Sequence, residues 1–596
     1  MRTSALVICA VFAALGAAHG PPSWTVVALA LGSVPIVATL ATWWRVATLA
    51  TRWRVATLAT RWRVATLATR LHVSFRSAAA LAVVAVAIGL LAGARAGAER
   101  LPVDTGVQPG ARIDAVVQLA DDPTTSAAGV RAVVRYEGRR LLAQFPGVLS
   151  PLVADLLAGD HVRVVGRLDT LDRSPLGWRR SRHLVGALRV ERAAPGPPAP
   201  PWMRAANATR RTLQHGLAGL DERTASLALG LVIGDDRGQE DLDRFRFRAS
   251  GLGHLLAVSG QNVALTIVAV GPVLRRLPLR WRWLAGSAVV AAFVLVTRAE
   301  PSVLRAATMA VIALVAASSG RPLDGLRALA ATVLVLVLVD PMLVHSVGFR
   351  LSVAATVGLT LAAAPIANGL PGPRWWREVL GASVAATLAT LPLQVMTFGS
   401  VPVVGLAANV LAVPVAGLVV VAGPPAALVA GLLHPSFGRV LVWPVGLLVE
   451  WIDRVATWCS RVPVGPVDGT RAAVVLAGVA LLAAAFRLST RHPGRRADVA
   501  LRAGSGLAGV VLAVTAVVPA PLDAGVHRVA GGAVLQVDDD GARSLRLADG
   551  ADPLDVLDGL WVVGVHRIDR VEAPGGSAAA AAVVEQFRPR DVTAGR

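Results

Sequence analysis

Long apolar segments dominate this 596-residue chain and restrict what it can fold into. A helix needs about 20 mostly apolar residues to cross a bilayer, because lipid offers its backbone no hydrogen-bond partner. Hydrophobic residues make up 54% of the chain and charged residues only 16%, as in proteins that cross the membrane repeatedly. Candidate spans lie at 5–19, 23–42, 77–95, 254–272, 283–297, 302–318, 328–339, 350–365, 378–396, 403–421, 472–486 and 503–519. Some are too short to cross alone, and 423–457 holds one or two more.

These segments predict a polytopic α-helical membrane protein with about 10–13 spans. The first segment lacks a convincing small-residue cleavage site, so we predict that it is retained and is not a signal peptide.

One apolar segment carries several polar side chains. Residues 244–266 read RFRFRASGLGHLLAVSGQNVALT and contain His254, Ser259, Gln261 and Asn262. Polar groups inside a span usually face a protein interior or a water-filled path. On one continuous helix, His254 and Gln261 would fall on nearly the same face, with Asn262 on its flank. This pattern predicts one wall of a polar path, and the alternative is a set of packing hydrogen bonds between neighbouring spans.

The charge balance predicts both topology and partners. The chain carries a net charge of +21, and arginine supplies every cationic side chain because lysine is absent. The excess requires an anionic partner, either membrane lipid or nucleic acid. Arginine-rich loops, which the positive-inside rule assigns to the cytoplasm, lie at 43–76, 275–282, 321–327, 374–377 and 487–496. Residues 97–201 and the tail after 520 are then predicted to lie outside the cell membrane.

A nine-residue motif is repeated four times in residues 38–73, beginning with ATLATWWRV. Nine residues make two and a half helical turns, so successive copies point to opposite faces of a helix. A Trp- and Arg-rich tract could lie at the membrane interface or contact nucleic acid. We favour a tandem expansion of the gene that a cytoplasmic loop tolerates.

The segment 97–201 changes from helical to strand-like patterning. Alternating apolar runs at ARIDAVVQLA, VRAVVRYEG, DHVRVVGRLD and HLVGALRVE predict a small β-barrel of the OB type. Residues proposed to contact a phosphate backbone are Arg131, Arg135, Arg163 and Arg167, with Tyr136 as a candidate stacking platform. Tyr136, the only tyrosine, fits the barrel core equally well. A stiff PGPPAPP linker ends the domain.

The predicted membrane spans and the predicted barrel divide the chain into five parts. We predict N-terminal spans in 1–96, the external OB-like domain in 97–201, amphipathic interfacial helices in 202–250, a membrane domain in 251–520 and a short soluble appendage in 521–596. The appendage is expected to contain a turn at Asp540-Gly541.

Several ordered motifs resemble the ComEC-type DNA-uptake family, the membrane channels of natural competence. They are GDHVRVVGRLD at 159–169, IGDDRG at 233–238, SGLGHLLAVSGQNVAL at 250–265, PSVLRAATMA at 301–310, DPMLVHSVGFRLSVAATVGL at 340–359 and LATLPLQVMTFGSVPVVGLAANVLAVPVAG at 388–417. Each motif alone is weak, but six in the family's order are specific. The resemblance covers roughly 80–520 and implies passage of single-stranded DNA across the cytoplasmic membrane.

The chain departs from this family at two places. Many relatives carry histidine at the position of Asn262 and leucine at that of Gln261, so this chain lacks the second titratable ring of those relatives. Full-length relatives often end in a metallo-β-lactamase-like domain, which 546–573 resembles. The expected His-x-His-x-Asp-His metal cluster is replaced by APGGSAAAAAVVEQF. We therefore expect no metal site, no cofactor, no catalytic residues and no nuclease activity.

Further candidate path residues follow from the later motifs. Arg305 and Arg350 lie within or at the edges of spans and suit transient phosphate contact, although each could instead extend to the interface. Gln394 and Asn409 flank the FGSVP turn, where capping or bridging of discontinuous helices is the favoured interpretation.

Other polar clusters are assigned no chemistry. The acidic residues Asp235, Asp236, Glu240, Asp241 and Asp243 are interpreted as solvated faces of an amphipathic helix. The two cysteines, Cys9 and Cys459, predict neither a disulfide framework nor a metal site.

Together these observations predict a cell-membrane channel for single-stranded DNA. Lysine is absent, which excludes the Gly-x-x-x-x-Gly-Lys nucleotide-binding loop, so any ATP-driven motor must be a separate protein. The resemblance implies a separate DNA receptor as well. The oligomeric state, monomer or homodimer, stays open. One alternative is a multipass transporter of a small or lipidic substrate that keeps the fold without DNA uptake. A structural membrane scaffold is another.

Overall fold

The computed structural model describes residues 110–126, 129–171, 176–318, 323–463, 466–468 and 522–594. Outside these residues lie Cys9, the repeat at 38–73 and the candidate spans at 5–19, 23–42, 77–95, 472–486 and 503–519. The chain forms two compact units. Among the described residues, the first unit combines those up to 200 with 279–287 and 304–350, and the second combines 201–278 and 288–303 with those from 351 onward.

A closed β-barrel forms the first unit's strand-rich part. Its strands are β1 (Arg112–Leu119), a short β2 (Thr124–Ser126), β3 (Gly129–Tyr136), β4 (Arg139–Phe145), β5 (His161–Asp169) and β6 (Leu184–Pro195). They are hydrogen-bonded in the order β1-β5-β6-β4-β3, and β3 pairs again with β1 to close the ring. Only β4 and β6 pair in parallel within this ring. A five-stranded Greek-key barrel is the architecture of the OB fold, so the predicted barrel is confirmed.

Alternation along the strands explains the barrel's core. In β5 the residues Val162, Val164 and Leu168 point inward and are buried, while Arg163 and Arg167 between them are exposed. The sequence analysis did not predict strand β4. It follows β3 through Glu137-Gly138, whose φ angles of 47° and 77° are those of a tight hairpin turn. Glutamate is uncommon at positive φ, so the turn carried a weak signal.

Two short helices accompany the barrel, α1 (Ser150–Val153) and α2 (Leu176–Ser181). The helices that precede the membrane domain and those within it follow in chain order. They are α3 (Pro201–Leu217), α4 (Glu222–Ile233), α5 (Asp241–Ala249), α6 (Gly253–Leu256), α7 (Gly260–Leu274), α8 (Leu279–Val296), α9 (Pro301–Ser318), α10 (Gly325–Val339), α11 (Val347–Gly369), α12 (Arg374–Phe398), α13 (Gly405–Leu432) and α14 (Pro435–Arg461). Within the first unit, His183 of the barrel lies 3.1 Å from Asp340, the residue after α10.

Three helices of the described chain are long and apolar enough to cross a membrane. Helices α11, α12 and α13 have mean hydropathies of 1.6, 1.6 and 2.2, and α7 to α10 are shorter apolar helices. These helices fall on the candidate spans from 254–272 to 403–421. Inside the second unit, α13 packs most extensively against α14 and α3.

The ambiguous stretch 423–457 is resolved into the end of α13 and most of α14. Helix α14 is amphipathic. Val442, Val449 and Ile452 are buried in the second unit's helical core, while Trp443 and Phe437 are exposed on another face. Aromatic side chains on an exposed apolar face are typical of a helix that meets lipid.

The tail forms a small α/β domain within the second unit. Two short strands precede it and pair with each other, β7 (Ser400–Val401) and β8 (Val467–Asp468). The elements of the tail domain are β9 (Gly525–Val529), β10 (Ala533–Val537), β11 (Arg543–Leu547), α15 (Pro553–Val563), β12 (Arg570–Ala573), α16 (Ala578–Phe587) and β13 (Asp591–Ala594). The sheet order is β13-β12-β11-β10-β9, antiparallel from β9 to β11 and parallel from β11 to β13. The predicted turn at Asp540-Gly541 is confirmed: Gly541 has φ of 81° between β10 and β11.

Candidate functional site

The polar signature segment is broken between two helices. Helix α6 ends at Leu256, Ala257 and Ser259 have extended backbone conformations, and α7 begins at Gly260. The prediction that His254 and Gln261 share a face of one helix is therefore wrong. The break leaves backbone groups without helical partners, and Ser302 supplies one by donating its hydroxyl hydrogen to the Val258 carbonyl at 2.7 Å.

The four polar side chains of this segment separate into two pairs. Asn262 is buried and donates from its amide to the Leu231 carbonyl at 3.0 Å, while the Ser259 hydroxyl donates to the Asn262 side-chain oxygen at 3.0 Å. His254 and Gln261 are exposed, and the His254 ring lies 3.1 Å from the Gly251 carbonyl. Asn262 and Ser259 thus form the packing bonds of the alternative interpretation, and His254 and Gln261 are left as candidates for contact with a solute.

A pair of glycines lets the segment before the break pack closely against α13. Gly251 has φ of 78°, and a Cβ atom added to it would lie 2.7 Å from the Cα atom of Gly405, the first residue of α13. Farther along, the Gln261 amide lies beside Gly417 of α13, where an added Cβ would be 3.9 Å from its nitrogen. Two sequence motifs, SGLGH and VVGLAAN, therefore meet because neither backbone carries a side chain at the contact.

A buried ion cluster stabilises the turn that ends α4. Asp235 follows Gly234, which ends the helix in the left-handed conformation, and its carboxylate lies 2.9 Å from Arg210 and 2.7 Å from Arg237. Gln214 donates to the same carboxylate at 3.2 Å. Arg210 also donates to the carbonyl of Val296 at 2.8 Å, which connects α3 to the end of α8. We call these residues, Arg210, Gln214, Asp235 and Arg237, the Asp235 cluster.

The electrostatics of this cluster keep Asp235 ionised. Burial alone would raise the pKa of Asp235, but the hydrogen bond from Arg237 and the charges of Arg210 and Arg237 outweigh burial and lower the pKa to about 2. Leu231, which binds Asn262, lies in the same last turn of α4. The Asp235 cluster and the broken helix are therefore parts of one polar joint within the second unit.

The acidic residues near this joint were partly misinterpreted from sequence. Asp235 and Asp243 are 6% and 1% exposed, so they are not solvated faces. Asp243 accepts from Arg223 at 2.6 Å, and Arg223 also lies 2.9 Å from Asp453 of α14. Such buried carboxylates require ion partners, which a count of acidic residues along the chain does not reveal.

The remaining candidate path residues occupy separate positions. Arg305 is buried on α9, and its guanidinium lies 3.9 Å from the Met309 sulfur. Arg350 is exposed in the first turn of α11. Gln394 donates to Thr390 of its own helix at 2.8 Å and therefore does not bridge helices through this bond. The Asn409 side-chain oxygen is buried on α13 and has no hydrogen-bond partner among the described residues.

The proposed nucleic-acid contacts of the barrel also differ from one another. Arg163 is 3.1 Å from Asp114, and Arg167 is 3.0 Å from Glu191, so both charges are already paired. Arg131 and Arg135 are exposed on β3, four residues apart and therefore on one strand face, and neither forms an ion pair within the described chain. Tyr136 packs against the barrel core, as its structural interpretation predicts.

Comparison with known proteins is consistent with this arrangement. Residues 231–491 match the sequence model of a family described as "Competence protein", a range that includes the broken helix and α8 to α14. Over this range, which is less than half of the chain, the sequence is similar to competence proteins.

This chain also matches two curated relatives over part of their length. It is 25% identical over 365 residues to "ComE operon protein 3" of Bacillus subtilis strain 168, covering 60% of this chain and 45% of that protein. It is 28% identical over 252 residues to "Uncharacterized protein YcaI" of Escherichia coli K12, covering 39% of this chain and 32% of that protein. The matched part therefore spans less than half of either relative. No solved structure is significantly similar.

The alternating RFRFR motif has a role that the sequence analysis did not predict. Phe247 is buried in the helical core, whereas Phe245 is buried in the core of the tail domain. Arg246, with a side chain only 3% exposed, lies 2.8 Å from Glu585 of α16, and Arg248 pairs with Asp558 of α15. Helix α5 is thus the element on which the tail domain docks. The signal was present as aromatic residues alternating with arginines on a short helix.

The tail domain lacks a recognisable metal site in its described residues. No group of three or more His, Cys, Asp or Glu side chains between 522 and 594 is arranged to hold a metal ion. The ring of His527 lies 2.9 Å from the Asp523 carbonyl, and both His527 and His566 are half-buried. The expectation that this chain has no nuclease activity stays a prediction.

Proposed function

We propose that this chain is a cytoplasmic-membrane channel through which single-stranded DNA enters the cell in natural transformation. The observation that carries the proposal is the break at 257–259, in an apolar helical domain that matches the competence family. Broken helices place polar groups and free backbone atoms at membrane depth, where solutes are bound and released. His254 and Gln261, exposed on the two sides of the break, are the side chains we assign to the passing strand.

A route outside the membrane is supplied by the barrel. Arg131 and Arg135 present unpaired charges on one strand, as weak and repeated phosphate contact requires. Arg163 and Arg167 would have to give up Asp114 and Glu191 first, so we assign them a smaller share. The barrel and the tail domain are proposed to lie outside the cell. A DNA receptor would deliver the strand, and a separate ATP-driven motor would pull it.

A transformation assay tests the path that we propose through the membrane domain. We expect His254→Ala and Gln261→Ala each to reduce uptake of labelled DNA at unchanged membrane abundance, since each removes a polar group assigned to the path. Control variants are the half-buried His527→Ala in the tail and the exposed Arg439→Ala on α14, and neither residue is assigned to the path. Unchanged uptake in both path variants would overturn this assignment.

Binding of single-stranded DNA by the purified chain tests the contacts that we propose for the barrel. It also distinguishes a DNA channel from a transporter of small substrates. The double substitution of Arg131 and Arg135 by alanine should weaken binding and reduce the dependence on salt, because each phosphate contact releases a counterion. The matched pair Arg163→Ala and Arg167→Ala should have a smaller effect. Absence of binding even at low salt would favour the transporter.

A further inference from the structure

A cavity lies where the tail domain docks on the membrane domain, and the role proposed above does not use it. It has a volume of about 260 Å³ and is open to one side. Its walls come from α5, from the end of α14 and from the tail domain, all within the second unit. This volume is close to the lower end of the roughly 300–1,000 Å³ of pockets for drug-sized ligands, so it suits a small ligand that extends through the open side. We call it the tail pocket.

The tail pocket carries positive charge that its own surroundings do not neutralise. Arg461 and Arg588 line it, and neither forms an ion pair with a described residue. The nearby carboxylate of Glu585 is already bound to Arg246 at 2.8 Å. Arg461 donates one hydrogen bond to the Glu585 carbonyl at 3.1 Å, and its Nε atom is buried without a partner in the described chain. Two guanidinium groups in this state favour an anion, above all a phosphate.

Aromatic rings complete the tail pocket. Trp561 and Phe587 are half-buried in its wall, and Phe245 closes it from the side of α5. Flat rings next to paired guanidinium groups are the surroundings that a nucleotide requires, because its base stacks while its phosphate binds arginine. Binding of an inorganic anion alone would not require aromatic rings.

A histidine also lines the tail pocket. His566 lines the tail pocket, and its buried Nε2 atom has no hydrogen-bond partner among the described residues. Burial and the charge of Arg543 lower the pKa of His566, so the ring is neutral at neutral pH. A neutral imidazole nitrogen can accept from or donate to the edge of a base, depending on its tautomer.

We propose that the tail pocket binds one nucleotide, with its 5′-phosphate on Arg461 and Arg588 and its base against Trp561 and Phe587. The nucleotide can be a free monophosphate or the 5′ end of a DNA strand, since both present the same chemistry. The proposal does not depend on DNA passage through the membrane domain, because a purified chain that transports nothing would still bind.

The test is saturation-transfer NMR on the full chain in detergent, with dAMP, deoxyadenosine, inorganic phosphate and a 5′-phosphorylated oligonucleotide as separate probes. We expect transfer to the base protons of dAMP, and an affinity for dAMP higher than for deoxyadenosine or phosphate. The double substitution Arg461→Ala and Arg588→Ala should weaken dAMP binding about tenfold or more, and Trp561→Leu should weaken base transfer. Arg528→Ala, exposed on β9 and outside the pocket, is the matched control.

Each outcome bears on the proposal. If the oligonucleotide competes with dAMP, the occupant is a strand end, and if only dAMP binds, it is a free nucleotide. No transfer from any nucleotide, equal affinity for phosphate and dAMP, or equal binding by the double variant and the Arg528→Ala control would each overturn it. Circular dichroism and hydrogen exchange of 578–587 show whether a variant that fails to bind has kept the tail domain folded.

Discussion

Replacing Asp235 by asparagine tests whether the Asp235 cluster holds the polar joint together. The change keeps the size of the side chain and one acceptor oxygen but removes the charge between Arg210 and Arg237. Asp235 is only 6% exposed, so water does not replace the lost partner. The pKa of Asp235 falls from 3.8 to about 2 in the folded chain. At about 1.4 kcal/mol per pKa unit, this corresponds to about 2 kcal/mol of stability at neutral pH.

The loss in the variant should exceed this value because Arg210, 1% exposed, is left with less compensation. Removing one partner of a buried pair costs about 3–5 kcal/mol, so we expect Asp235→Asn to lose about 2–5 kcal/mol. Stepwise unfolding of the detergent-solubilised chain by sodium dodecyl sulfate measures this difference in free energy. The matched control is the exposed neighbour Asp236→Asn, expected to change stability by less than about 0.5 kcal/mol.

The same pair of variants makes a pH prediction. A carboxylate whose folded pKa is lowered stabilises the fold above its unfolded pKa of about 3.8 and loses this contribution as pH falls through about 2. The stability gap between the parent chain and Asp235→Asn should therefore narrow between pH 4 and pH 2. Equal stability of Asp235→Asn, Asp236→Asn and the parent chain at neutral pH would refute the reasoning.

Three further substitutions test neighbouring parts. Asn262→Ala leaves the buried Leu231 carbonyl without its donor and should cost about 1–3 kcal/mol in the same unfolding assay, and no loss would argue against the packing role of Asn262. Gly251→Ala should destabilise by more than about 1 kcal/mol, because φ is 78° and Gly405 lies too close, whereas Gly271→Ala, with open space around it, should not. Arg246→Ala should speed hydrogen exchange in 578–587 by breaking the bond to Glu585, and unchanged exchange would contradict docking through α5.

Patterns that repeat along one element were the most predictable from sequence. The alternation in DHVRVVGRLD predicted β5 because its apolar residues all enter one core, and the apolar spans predicted helices for the same reason. The hairpin strand β4 was missed because its turn, Glu137-Gly138, places an uncommon residue at positive φ.

Predictions that depend on contacts between residues far apart in sequence were less accurate. His254 and Gln261 appeared to share a helix face, but hydrogen bonding by Ser302 to Val258 stabilises a break between them. Asp235 appeared solvated because Arg210, its buried partner, lies 25 positions earlier in sequence. No local pattern reports such pairings, although the Gly-Asp turn in IGDDRG indicated a special backbone.

Electrical recording from planar bilayers tests the central claim most directly. The purified chain is inserted into the bilayer, a voltage replaces the motor, and DNA that reaches the far chamber is quantified by amplification. We predict that single-stranded DNA crosses, that duplex DNA of the same sequence does not, and that His254→Ala lowers the rate. An inserted, intact chain that passes no single-stranded DNA at any voltage would contradict the account.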